Sequence, residues 1–211
     1  MPGMAANCDI FENIKLDNTK FTLHFIEWID PFYDESLENY SKRIATKIAD
    51  RNPILIGVSF GGIIVQEIAK IINVEKIIII SSVKDPSEFP TRIHWAKKWK
   101  LYRFFPTAHI TLIENITKKI VSSKKIHQRI DLYRKYLSVR SVNYLDWAFK
   151  SVITWENTNP VKNIYHLHGT KDHIFPSSRI TNAEFLENGT HVMVLANAKW
   201  INQKILKILE K

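Results

Sequence analysis

Residues Pro53 to Ile72 read PILIGVSFGGIIVQEIAKII, and the pattern changes period half-way along. Ile54, Leu55, Ile56 and Val58 form a short apolar run suited to a strand buried on both faces. Beyond the turn, Ile63, Ile64, Ile68, Ile71 and Ile72 make an apolar helix face, with Gln66, Glu67 and Lys70 between them. Ser59 lies at the junction, with Gly57 before it and Gly61 and Gly62 after it. A turn that lifts one side chain clear of a sheet strains its backbone and crowds its neighbours, which is why glycines flank it. The spacing therefore predicts strand, sharp turn and helix, with the Ser59 hydroxyl exposed and free N–H groups of the helix start behind it.

A bare GxSxG is a weak signal, and the plain alternative is a tight connection bearing a solvent serine. The buried strand before the turn and the apolar helix after it favour a nucleophile elbow.

Outward from this unit, Lys20 to Ile29 (KFTLHFIEWI) reads as a strand by its aromatic and β-branched content, ended by Asp30 and Pro31. Ser36 to Asp50 reads as a helix, with Ser36 as N-cap and Leu37, Tyr40, Ile44 and Ile48 on one face. Val74 to Ser82 predicts another buried strand. The resulting order of strand, helix, strand, helix, strand implies right-handed crossovers and a parallel sheet. After Pro86 the pattern turns amphipathic, with helical pieces at Phe89 to Phe104, Ala108 to Val121, Lys124 to Leu137 and Val142 to Trp155. Strand pattern resumes at Asn163 to His168 and Ala183 to Leu186, and a helix from Ala198 to Lys211 closes the chain.

The charge changes at the same boundary. The chain carries a net charge of +9, yet Lys84 to Lys162 holds 16 Lys and Arg against 6 Asp and Glu. We read residues 86–155 as a helical cap inserted between core segments 1–85 and 156–211. A length of 211 residues suits one domain with such an insertion. Cys8 is the single cysteine, which excludes an intrachain disulfide and suggests no cysteine-based metal site. The N-terminus MPGMAANCDI has neither the basic start nor the apolar stretch of a secretory signal, and the run Ile77 to Ile80 is far too short to span a bilayer. A soluble cytoplasmic protein without stable membrane insertion is expected.

A nucleophilic serine needs a base to take its proton and an acid to orient that base. In a parallel sheet both belong in loops beyond the C-terminal strand ends, where Ser59 lies. Of the eight histidines, His24 and His166 fall inside expected strands, and His94, His109 and His127 fall on cap helices. His168 ends a strand before Gly169 and is expected to be structural. His173 and His191 remain. Asp172 lies in the loop of HLHGTKDHIFP, His166 to Pro176, and His191 follows a strand and a Gly-Thr turn in ENGTHVMVL. His173 is adjacent to Asp172 and diverges from it, so the need for a held imidazole favours His191.

The chain resembles a small bacterial α/β-hydrolase with a helical cap. The resemblance rests on GVSFGG at Gly57 to Gly62, HGTKDHIFP at His168 to Pro176, GTHVMVL at Gly189 to Leu195, and YLDWAFKSVITWEN at Tyr144 to Asn157. It implies a three-layer α/β/α sandwich with a mostly parallel sheet, and the triad Ser59, His191 and Asp172. It further implies an oxyanion hole of Phe60 N–H plus a second N–H, Met4, from the loop Pro2 to Met4. In that fold a strand beside the nucleophile strand precedes this loop. The sequence starts at Met1, and loss of that strand would leave unpaired backbone groups on two interior strands, so either an upstream strand or a rebuilt N-terminus is expected.

The expected function is hydrolysis of an ester, thioester or similar acyl bond by a carboxylesterase- or thioesterase-like enzyme, with no metal and no cofactor. Transfer of the acyl group to another acceptor, or a non-catalytic binding protein on the same fold, are the alternatives. The partner is a small acyl substrate. The basic segment would suit an anionic substrate or an acidic lipid surface, against the plain reading of a solvated helix face. Basic and aromatic residues interleave around HWAKKWKLYRFF, but no nucleic-acid reader motif is present. Trp95, Trp99, Trp147 and Trp155 are candidates for an acyl pocket or for core.

Overall fold

Ile77 and Ile79 pack into one apolar core and Ile78 and Ile80 into another, all four at most 1% exposed. Side chains alternate across a strand, so a continuous isoleucine run satisfies both faces of a sheet covered on both sides. The structure is a computed structural model that describes residues 1–104, 132 and 134–211. Among these, four strands form one parallel sheet in the order β1 (Ile54–Val58), β2 (Lys76–Ile80), β3 (Ile164–Gly169) and β4 (Glu184–Leu186).

Helices α1 (Leu37–Ala45), α2 (Phe60–Ala69) and α4 (Val142–Thr154) supply the first core. Tyr40, Ile44, Ile63, Ile64, Ile68, Tyr144 and Trp147 all lie there. Helix α6 (Ala198–Leu209) covers the opposite face through Ile201, Ile205 and Ile208. The layers are therefore helix, sheet, helix. Ser36 caps α1 as its sequence predicts, its hydroxyl accepting from Asn39 N–H at 3.1 Å.

Between residues 86 and 155 the described elements are helical: α3 (Thr91–Lys98), short 3₁₀ turns, and α4. The expected helix at Ala108 to Val121, with His109, lies outside the described residues, as do His127 and most of Lys124 to Leu137. Trp147 and Trp155 join the core, at 7% and 4% exposure, whereas Trp95 and Trp99 on and after α3 are more than half exposed. No described helix is long and apolar enough to cross a membrane.

The strand expected at Lys20 to Ile29 does not form. Those residues run without ladder partners, and Phe21, Leu23 and Phe25 line a cleft of about 870 Å³ that Ile54, Leu55 and Ile56 also line. A strand exists only with a neighbour about 4.8 Å away, and this segment pairs with no described strand. Met1 pairs with β1 instead: its amino group donates to Ile56 O at 2.7 Å, and its carbonyl accepts from Val58 N–H at 3.1 Å. Cys8 is half-buried, its thiol pushed up to about 12 by burial and then by Glu27.

Candidate active site

The elbow at the end of β1 is built from close backbone packing. A Cβ at Gly57 would lie 2.3 Å from Gly61 O, so no larger residue fits this turn. Ser59 at its apex holds φ 52° and ψ −119°, a left-handed conformation that costs a non-glycine residue about 1–3 kcal/mol. Its backbone is bonded in compensation. Ser59 N–H donates to Ile80 O at 2.9 Å, and its carbonyl accepts from Gly62 N–H at 2.9 Å and from Ser82 Oγ at 2.7 Å.

Asp172 lies beyond β3 and His191 beyond β4, so Ser59, Asp172 and His191 all follow C-terminal ends of strands in the parallel sheet. The loops bearing the acid and the imidazole are sewn together by main chain. Lys171 N–H donates to Gly189 O at 2.8 Å and Thr170 N–H to Leu186 O at 3.0 Å. A Cβ at Gly169 would meet Gly189 O at 2.2 Å, which explains a glycine on each side of this contact.

The three side chains meet. His191 Nδ1 lies 2.8 Å from Asp172 Oδ2, and His191 Nε2 lies 2.9 Å from Ser59 Oγ. A carboxylate only accepts, so Nδ1 carries the proton and Nε2 is left to accept from the Ser59 hydroxyl. Asp172 Oδ1 accepts from Ile174 N–H at 2.8 Å and Phe175 N–H at 2.9 Å. Burial raises the Asp172 carboxyl, but the His191 hydrogen bond and charge, Phe175 N–H and His168 outweigh it and hold it below the usual carboxylate range. The Phe175 ring stands edge-on to the imidazole, centroids 5.6 Å apart. Ser59–imidazole–carboxylate chains of this kind can move a hydroxyl proton to nitrogen and hold the imidazolium that results.

His173 takes no part in this chain; its carbonyl accepts from Arg92. Phe60 opens α2, and its N–H has no acceptor among the described residues. The Phe60 ring stacks on Trp28 at 5.2 Å and packs on Trp147 at 5.7 Å. Gly3 also lies against Ser59, where an added Cβ would be 3.4 Å from Ser59 Cβ. The Gly3 carbonyl accepts from Trp28 Nε1 and Ala6 N–H, both at 3.0 Å. In a trans peptide the following N–H, that of Met4, points the opposite way from this carbonyl.

No protein-family model matches the chain, and no curated protein matches it in sequence. Solved structures do match. An esterase from Exiguobacterium antarcticum is similar with a TM-score of 0.64 at 14% identity, over 100% of this chain and 92% of that one. A thermophilic esterase from Thermogutta terrifontis gives 0.63 at 12% identity, over 99% and 87% of the two chains. An α/β-hydrolase fold protein from Burkholderia ambifaria gives 0.55 at 13% identity, over 84% and 74%. This chain has the α/β-hydrolase fold. Identities this low speak for the fold alone. Within that hydrolase fold, three contacts escaped sequence reasoning: Ser82 Oγ to Ser59 O, Trp28 Nε1 to Gly3 O, and His166 Nε2 with His168 Nδ1. Only HLHG, with its two histidines on one strand face, offered a sequence signal.

Proposed function

We propose that the protein is a serine hydrolase that cleaves an ester, thioester or similar acyl bond of a small molecule. The observation that carries this reading is the unbroken run from Ser59 Oγ through His191 to Asp172, at 2.9 and 2.8 Å. Ser59 attacks the carbonyl carbon while His191 Nε2 takes its proton, and the same nitrogen then protonates the leaving group. Asp172 holds the tautomer and stabilises the imidazolium. Phe60 N–H and Met4 N–H receive the oxyanion, an arrangement in which each donor is worth about 100- to 1,000-fold in rate. Water then repeats the sequence on the acyl-enzyme.

The excess of positive charge in residues 86–155, the segment whose sequence pattern suggests a helical cap, draws in anionic acyl substrates. The test is covalent labelling by a fluorophosphonate together with turnover of p-nitrophenyl esters and acyl thioesters. Wild-type protein should label and turn over, and Ser59→Ala should do neither, with a rate loss of about 10,000-fold or more. Equal labelling of the Ser59→Ala protein would refute the assignment.

A further inference from the structure

Two histidines on β3 are buried and lie outside the reacting groups: His166 is 3% exposed and His168 is fully enclosed. They sit two residues apart, hence on one face of the strand, with His166 Nε2 3.2 Å from His168 Nδ1. His168 Nε2 lies 2.9 Å from the carbonyl oxygen of Phe175. That carbonyl can only accept, so His168 Nε2 carries a proton. In a neutral ring Nδ1 is then the acceptor, and His166 Nε2 must donate to it. The tautomers of both rings follow from a single carbonyl oxygen.

Phe175 is thereby held at both of its backbone polar groups. Its carbonyl accepts from His168, and its N–H donates to Asp172 Oδ1 at 2.9 Å. His168 Nε2 also faces Asp172 Oδ2 at 3.6 Å, with both side chains wholly shielded from solvent. Asp172 Oδ2 is the oxygen that receives His191 Nδ1. The other ionisable groups acting on the pair are His191 and Glu88 towards His168, and Lys84 towards His166. The Phe185 ring stands edge-on to His168, centroids 6.1 Å apart.

We infer that His168, braced by His166, is a positioning residue for the reaction: it holds the Phe175 carbonyl, so that the Phe175 N–H keeps the Asp172 carboxylate aimed at His191. The inference rests on the reading of Ser59, His191 and Asp172 as the reacting groups. Burial keeps both rings neutral, so the clamp acts through directed N–H groups rather than through positive charge. A leucine of similar volume would fill the space and lose the aim.

The test compares His168→Leu, His168→Gln and His168→Asn. The glutamine amide nitrogen reaches the place of Nε2 and can bond Phe175 O; the shorter asparagine cannot. His168→Leu and His168→Asn should lose about tenfold in kcat with KM unchanged, the worth of one hydrogen bond in the transition state. His168→Gln should recover most of that loss. The downfield NMR resonance of the His191 Nδ1 proton should be present in wild type and His168→Gln, and broadened or lost in the other two. Equal kcat and the same resonance in all four proteins overturn the inference. If His168→Leu does not fold, the Gln and Asn proteins decide alone, and equal behaviour of that pair overturns it. A wild type that fails to label with fluorophosphonate sinks the hydrolase reading instead, and the NMR comparison still judges the clamp.

Discussion

The Ser82 hydroxyl donates a 2.7 Å hydrogen bond to the carbonyl oxygen of Ser59, tying the residue after β2 to the strained apex of the elbow. The left-handed backbone of Ser59 is thus held from a neighbouring strand end as well as from its own helix.

Removing that donor should loosen Ser59 more than the fold. Ser82→Ala leaves Gly62 N–H on the same carbonyl, so the expected stability loss is about 0.5–1.5 kcal/mol by thermal unfolding. The fluorophosphonate labelling rate should fall about 2- to 10-fold, the same free energy expressed in the barrier. An unchanged labelling rate in a destabilised protein would confine Ser82 to a structural role.

Trp28 reaches the site through the Gly3 carbonyl. Trp28→Phe keeps an aromatic ring against Phe60 and deletes the indole N–H that bonds Gly3 O. Ala6 N–H still holds that carbonyl, so kcat should drop by about tenfold, less than the roughly 100- to 1,000-fold of a whole oxyanion donor. The comparison of kcat with KM on a p-nitrophenyl ester checks it, because a pocket effect would move KM first.

The contact of Gly169 with Gly189 holds together the loops that carry Asp172 and His191. A Cβ at Gly169 would meet the Gly189 carbonyl at 2.2 Å, backbone against side chain with no rotamer to give way. Gly169→Ala should cost about 1–3 kcal/mol or more in denaturant unfolding and should slow turnover as the His191 loop is pushed from Asp172. Native stability with native turnover would show that the loops can part freely.

Acid should destabilise the fold through His166. Its ring is pushed down to about 2, first by burial, then by the charge of His168 and of Lys84. Unfolded, the imidazole binds a proton below its ordinary pKa of about 6.5. The unfolded state therefore holds the extra proton between pH 6.5 and about 2, and stability falls as pH drops through that window, by up to about 1.4 kcal/mol per pH unit. His166→Gln should flatten the decline of the unfolding free energy between pH 6.5 and 4.5. An equal slope in both proteins would place the acid sensitivity elsewhere.

Local backbone chemistry was legible from residues alone. The isoleucine-rich strands, the elbow at Ser59 and the Ser36 cap depend on neighbours within a few positions, and each formed where its pattern lies. The order Ser59, Asp172, His191, each after a strand, was legible for the same reason, since a parallel sheet puts all strand ends on one side. Lys20 to Ile29 has strand composition and is not a strand, because a ladder belongs to two segments and its composition describes only one. The grip of His168 on Phe175, the hold of Trp28 on Gly3 and the bond from Ser82 to Ser59 join residues 7, 25 and 23 positions apart. Which polar atom lies within 3 Å of which carbonyl is set by how packed elements meet, and that was decided only by the tertiary structure.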